Sequence, residues 1–217
     1  MQRMSRAGIV DIEYSHFSVG EIPGDGFDLV DAEVDFQTDR PVIVVPGLVV
    51  VISRVQAHYA PVVLALSHGQ DAVPGEGWQL VDTVSYTPVY AGLMAVYDTM
   101  NGISSPSDAP LVLFGQSAEP GEPVVELDPG WTYRVQVWAQ GRDTSRERHE
   151  AAMAREEWGA SEGFEAYAVV FFPASEQEAP EPAHERGLRA RFARQRAEEE
   201  AIRRAVKAKE GDGAPPV

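Results

Sequence analysis

The chain has 217 residues, of which 44% are hydrophobic and 24% charged, and its formal net charge is −16. This length and composition suit one ordinary domain with appendages, able to bury a sizeable core. The chain has no cysteine, which excludes disulfide bonds, thiolate metal sites and a cysteine nucleophile.

Two features of the sequence bear on its location. The N-terminal residues carry two arginines with no apolar run behind them, which argues against a signal peptide. The most apolar stretch, residues 41–52, is interrupted by Pro46 and Gly47 and is shorter than the roughly 20 residues of a membrane helix. We therefore expect a cytoplasmic protein that does not associate with a membrane.

The charge is distributed unevenly along the chain. Residues 7–143 contain nineteen acidic residues against four arginines, a balance of −15, whereas residues 186–209 contain nine basic residues and three glutamates, a balance of +6. A body this acidic repels nucleic acid and attracts basic proteins. An organism whose proteins are acidic in general would produce the same overall charge.

Alternating polar and apolar residues predict strands along the first 140 or so residues. Residues 8–17 alternate so that Val10, Ile12 and Tyr14 share one face with Asp11 and Glu13 on the other. Residues 27–36 alternate in the same way, with Phe36 on the apolar face. Further strands are predicted at 42–45, 48–55, 62–66, 79–86, 93–98, 111–114, 124–127, 133–138 and 167–172.

Short strands without intervening helices predict an all-β fold, an antiparallel β-sandwich or jelly roll with a C-terminal α-helix. The predicted sandwich domain spans residues 1–173, with a helical insertion at 142–158. A linker rich in Pro and Glu follows at 174–184, then a charged amphipathic helix at 185–209 and a disordered tail at 210–217. The thin apolar stripe of that helix consists of Leu188, Phe192, Ile202 and Val206.

No motif in the sequence points to a catalytic, metal or cofactor site. The five histidines lie on separate segments without metal-ligand spacing, and His149 opens a zincin-like helix in which Met153 stands where the second histidine is needed. Nucleophile-elbow, phosphate-binding and dinucleotide-binding motifs are all missing. We expect no enzyme activity, no metal and no cofactor.

The acidic positions of the first predicted strands are the main candidate binding site. They are Asp11, Glu13, Asp31, Glu33 and Asp35. If the two strands are neighbours, five carboxylates share one sheet surface, and because like charges across strands repel, such a cluster needs a purpose. The candidates are a basic protein partner, a bound calcium ion and imitation of a nucleic-acid backbone; the alternative is that the strands are not adjacent and the carboxylates only face water.

Three segments carry a resemblance to a known family: residues 12–17 (IEYSHF), residues 130–138 (GWTYRVQVW) followed by Gly141-Arg142-Asp143, and residues 165–173 (EAYAVVFFP). In outline, residues 8–173 resemble the competence protein J type of β-sandwich and a group of mostly actinobacterial proteins. The resemblance implies a small sandwich that inhibits a nuclease by binding it. His16 stands where we expect glutamine in that family, and the insertion at 142–158 and the basic tail are departures from it.

The sequence thus favours a non-enzymatic acidic binding protein, an inhibitor, immunity or adaptor protein for a basic partner such as a nuclease. The alternative is a structural or scaffold component that docks through Leu188, Phe192, Ile202 and Val206. Partner identity, oligomeric state and strand order are open at this point, as is the choice between acidic face and helix.

Overall fold

The computed structural model describes residues 4–22, 34–67, 75–100, 105–106, 112–113, 116–117, 119–120, 124–156 and 163–176. All of them belong to one unit of the chain, Met1–Pro180, and the second unit, Glu181–Val217, lies outside them. The predicted helix at 185–209 and the tail at 210–217 are therefore outside the described residues, as is most of the predicted linker.

The described residues form fourteen strands and one helix. In chain order they are β1 (Met4–Ile12), β2 (His16–Glu21), β3 (Val42–Val45), β4 (Leu48–Ile52), β5 (His58–Leu66), β6 (Trp78–Tyr86), β7 (Leu93–Tyr97), β8 (Ser105–Pro106), β9 (Val112–Leu113), β10 (Gln116–Ser117), β11 (Glu119–Pro120), β12 (Val124–Glu126), β13 (Trp131–Gln140), α1 (Ser145–Ala154) and β14 (Ala166–Glu176).

The strands form two main sheets, and the predicted all-β fold is confirmed. The first sheet has the order β11-β1-β5-β14-β13-β6, with β8 also paired to β1, and the second has the order β12-β7-β2-β4-β3. Strands β9 and β10 pair with each other. The second sheet is antiparallel throughout, but the first is mixed, because β14 runs parallel to β5 and β11 runs parallel to β1.

The main core lies between the two sheets. Val10, Val62 and Val169 come from the first sheet and Phe17 and Val51 from the second, and none of the five is exposed. The outer face of the first sheet is also buried in its middle, where Val63 and Val170 are inaccessible to solvent. Strands β5 and β14 are therefore apolar on both faces, which explains why they read as continuous hydrophobic runs.

Residues 8–17 belong to two strands joined by a tight hairpin turn, which a bridge between Glu13 and His16 closes, instead of the single strand that their alternation predicts. The chain reverses at Tyr14 and Ser15, whose φ angles are +52° and +65°, so that β1 lies in one sheet and β2 in the other. Tyr14, predicted on the packed face, is 68% exposed. Period-2 alternation continues through a two-residue turn, so it does not reveal the reversal.

The strand predicted at 27–36 falls partly outside the described residues, and its described end is not a strand. Residues 34–40 form turns and irregular structure. The backbone amide of Gln37 donates a hydrogen bond to Asp35 Oδ1, a local turn that competes with strand pairing. Phe36, predicted on the apolar face, is 52% exposed.

Helix α1 lies between β13 and β14, inside the segment 142–158. Its residue Ala152 packs with Val55 and Phe164 in a small buried cluster, while the charged residues Arg146, Glu147 and Glu150 face solvent. No helix among the described residues is long and apolar enough to cross a membrane.

We expect the sandwich to fold without the C-terminal segment. The buried core residues of the described chain lie between Ala7 and Phe172, so a chain ending at Glu176, the last residue of β14, retains them all. Its thermal unfolding should be cooperative, with a Tm within about 4 °C of the full chain, equivalent to ~1 kcal/mol. A loss of the cooperative transition would mean that the segment after Glu176 belongs to the core.

Candidate interaction surface

Three connections of the described chain meet at one end of the sandwich, which we call the hairpin end. It is formed by the turn between β1 and β2, the 53–57 connection between β4 and β5, and the connection from β13 through α1 to β14. Strand register brings these together, because Ile12 lies opposite His58, His16 opposite Ile52, and Gln140 opposite Ala166.

The turn at the hairpin end is held by bonds from two other segments. The Thr99 hydroxyl accepts a hydrogen bond from the Glu13 amide at 2.9 Å and lies 2.5 Å from the carbonyl oxygens of both Glu13 and His16. The Ser15 amide donates to the Gln56 carbonyl at 2.9 Å. The turn is therefore a rigid part of the fold.

The structure places three of the five predicted acidic site residues. Asp11 lies in β1 opposite Tyr59, Glu13 is exposed at the turn, and Asp35 is exposed in the segment that precedes β3. The Phe36 ring lies 4.7 Å from the His16 ring between centroids, so the segment carrying Asp35 reaches the hairpin end. Asp31 and Glu33 are outside the described residues, as are Leu188, Phe192, Ile202 and Val206.

A buried carboxylate, that of Glu165, joins the segments of the hairpin end. Glu165 is 1% exposed and lies directly before β14. Its oxygens accept hydrogen bonds from the hydroxyls of Ser53 at 3.1 Å, Ser145 at 2.6 Å and Tyr167, and from the amide of Arg54 at 3.3 Å. Arg142 Nη1 lies 3.5 Å from Glu165 Oε2. Because a buried carboxylate is costly unless it is fully paired, these contacts fix the 53–57 connection and α1 against β14.

Burial next to Glu165 changes the acid–base behaviour of two neighbours. Burial lowers the pKa of His58 from 6.5 to about 4, although the negative charge of Glu165 opposes the shift. Burial and the Glu165 charge both raise the pKa of the Tyr167 phenol. His58 is therefore neutral and Tyr167 protonated near pH 7.

Ser53, His58 and Glu165 are the residue types of a hydrolase triad, but their hydrogen bonds do not run in the order that a triad needs. The Ser53 hydroxyl donates to Glu165 and lies 3.2 Å from His58 Nε2, so its single proton points away from the histidine that would have to remove it. All three side chains are buried. The arrangement anchors the fold and provides no activated nucleophile.

A groove of about 390 Å³ adjoins this anchor. Its lining residues are Asp39, Pro41, Arg54, Gln79, Leu80, Val81, Arg142 and Asp143. Both arginines already have acidic partners, because Arg54 Nη1 lies 3.6 Å from Asp143 Oδ1 and Arg142 is paired with Glu165. The groove therefore offers no uncompensated positive charge to an anion.

Gly141 allows the close turn that brings Arg142 to Glu165. Its φ is +78°, and a Cβ atom there would lie 2.9 Å from the carbonyl oxygen of Phe164.

Within the part of the chain that the structure describes, no three His, Asp or Glu side chains gather closely enough to hold a metal ion.

Sequence reasoning missed the anchor and the exposed aromatic residues. Glu165 and Arg142 stand in the segments that carry the family resemblance, but no spacing rule pairs two residues that lie on either side of a helix. The sequence signal for the anchor was a glutamate directly before an uninterrupted apolar strand. Such a residue has to be either exposed at the strand end or paired with another group.

Two solved structures resemble this chain in the arrangement of their backbone. One is the crystal structure of ComJ, inhibitor of the DNA degrading activity of NucA, from Bacillus subtilis, with 12% identity, 80% of this chain and 100% of that chain covered, and a TM-score of 0.45. The other is described as crocagin biosynthetic gene J, with 13% identity, 81% and 100% covered, and a TM-score of 0.39.

The resemblance to the competence protein J type that the sequence indicated is thus confirmed at the level of the fold. No protein-family model matches the sequence, and no curated protein matches it.

Removing the negative charge of the anchor should destabilise the protein strongly. Glu165→Gln keeps the side-chain size but leaves Arg142 without its ionic partner, and three hydroxyls then face an amide. We expect a loss of about 3 kcal/mol in the free energy of unfolding, measured by urea denaturation. Glu150→Gln, an exposed change on α1, is the matched control. A loss below ~1 kcal/mol for Glu165→Gln would contradict the anchoring role.

The lowered pKa of His58 should make stability depend on pH. As the pH falls below 6.5 the unfolded chain takes up a proton that folded His58 refuses until about pH 4. The contribution of neutral His58 is therefore complete above pH 6.5 and is lost as the pH falls to 4, by up to about 3 kcal/mol.

This pH dependence is tested by measuring unfolding free energies between pH 7 and 4. The slope should be smaller in His58→Gln than in the wild type, while His16→Gln, a change nearer the surface, should retain it. Parallel curves for wild type and His58→Gln would show that His58 does not carry the effect.

Proposed function

We propose that this protein is a non-enzymatic binding protein that acts as an inhibitor, immunity or adaptor protein for a basic protein partner. The observation that carries the proposal is the charge of the sandwich, with nineteen acidic residues against four arginines between residues 7 and 143. Such a surface accelerates the approach of a basic protein and rejects nucleic acid.

The proposed binding residues are those predicted from the sequence: Asp11, Glu13, Asp31, Glu33 and Asp35. Glu13 and Asp35 support the proposal, because both are exposed and both belong to segments that meet at His16. Neither has an ion-pair partner among the described residues within salt-bridge distance. Exposed carboxylates of this kind act on the association rate and on the choice of partner.

A nuclease is the first class of basic enzyme to test. The family that the sequence resembles is expected to bind one, and ComJ is named as the inhibitor of a DNA-degrading activity. A nuclease surface that holds DNA has to be positively charged, so an acidic protein is complementary to it in charge.

The second proposal is a scaffold component that docks through the apolar stripe of the C-terminal segment, Leu188, Phe192, Ile202 and Val206. The periodicity of these residues in a sequence free of proline favours it. The two proposals differ in their dependence on salt, since charge-driven association weakens with ionic strength and apolar docking does not.

The test captures the partner by a pull-down from native lysate and then measures its binding to this protein as a function of salt concentration. Replacing the acidic residues together (Asp31→Asn, Glu33→Gln, Asp35→Asn) should slow association by about tenfold at low salt and flatten the salt dependence, with stability unchanged or slightly raised because self-repulsion is removed. The control is Phe192→Ala with Ile202→Ala. Should the acidic triple variant bind as the wild type does while the control loses binding, the scaffold proposal replaces the acidic one.

A further inference from the structure

Three large apolar side chains are exposed around a single turn at the hairpin end. Tyr14 is 68% exposed, Phe36 52% and Met100 71%. Single exposed apolar residues are common on protein surfaces, but several grouped in one place mark interaction sites. We call these three residues the hairpin patch.

The members of the hairpin patch are tied to the same short piece of backbone. Tyr14 is in the turn, and its carbonyl oxygen lies 3.1 Å from His16 Nδ1. The Phe36 ring packs against the same histidine, with its centroid 4.7 Å from that of the His16 ring. Met100 follows Thr99, whose hydroxyl bonds to Glu13 and His16.

The conformation of Tyr14 runs against its own preference. A φ of +52° is the left-handed region that a bulky residue avoids, and a two-residue turn of this kind favours Asn and Gly. The surrounding bonds from Thr99 and Gln56 hold the strained turn in place. The fold maintains this backbone strain while the Tyr14 ring stays exposed, which points to a function for the ring.

Each member of the patch has a carboxylate beside it in the chain. Glu13 precedes Tyr14, Asp35 precedes Phe36, and the Asp98 carboxylate accepts a hydrogen bond from the Met100 amide at 2.9 Å. The patch is therefore an apolar centre with an acidic margin. A partner that matches it carries an apolar side chain among lysines or arginines.

We propose that Tyr14, Phe36 and Met100 form the contact centre for a basic segment of a partner protein, in which an apolar side chain is flanked by arginine or lysine. This inference rests on the proposed function and names the part of the surface that supplies affinity. Aromatic residues at the centre of an interface carry most of the binding energy, while the charged margin excludes mismatched partners.

The probes are two synthetic peptides of equal length and charge. In one, arginine alternates with leucine and phenylalanine; in the other, arginine alternates with serine. Binding to the full chain is measured by fluorescence anisotropy at low salt. The wild type should bind the arginine–leucine peptide about tenfold more tightly than the arginine–serine peptide, a difference typical of a buried apolar anchor.

Three variants locate the binding. Tyr14→Gly and Phe36→Ser should each remove most of the tenfold preference and leave affinity for the arginine–serine peptide unchanged. Leu93→Ser is the matched control, because Leu93 is an exposed apolar residue at the opposite end of the sandwich, and it should retain the preference. Glycine also relieves the strain at position 14, so Tyr14→Gly should have a Tm equal to or above that of the wild type, which separates lost binding from lost folding.

The outcomes distinguish this inference from the proposed function. If the wild type binds both peptides equally, or if Tyr14→Gly and Phe36→Ser keep the preference, the hairpin patch is not the contact centre and the acidic proposal stands. If the wild type binds neither peptide at low salt, both the contact centre and the acidic binding function are overturned.

Discussion

The paired carboxylate of Glu165 is the interaction on which the hairpin end depends. It lies at the start of β14 and receives donors from the 53–57 connection, from α1 and from Arg142 after β13. These segments are far apart in sequence, and they also meet in the small buried cluster of Val55, Ala152 and Phe164. A charge this deeply buried is stable only with all its partners present, so the network forces the connections into one arrangement and supports the strand ends around it.

A second buried carboxylate, that of Glu21, stabilises the opposite end of the sandwich in the same way. Glu21 is 1% exposed and accepts hydrogen bonds from the Tyr86 hydroxyl and from the amides of Val89, Tyr90 and Gly92. The bonds to Glu21 and Glu165 are directional and saturable, unlike the valine contacts between the sheets. With its ends fixed in this way, the sandwich can hold Tyr14 in a strained conformation at the hairpin turn.

Much of the fold could be predicted from local pattern, but the exposure of Tyr14 and Phe36 could not. Short alternating segments with turn residues between them predicted an all-β chain, and the strands at 42–45 and 79–86 are found almost where they were expected. The same alternation placed Tyr14 and Phe36 with the buried residues. It failed because alternation records which way a side chain points within a strand, and neither residue is in one.

The sequence by itself determined the class of the fold, the negative charge balance of residues 7–143 and the lack of recognisable catalytic motifs, because composition, charge and period-2 alternation are local properties that hold in any arrangement of the strands. The tertiary structure decided which strands are neighbours, that β14 lies parallel to β5, and that Glu165 meets Ser53, more than a hundred residues away. It also decided that Tyr14 faces solvent. These depend on contacts between distant segments, and long-range pairing leaves no periodic signal in the chain.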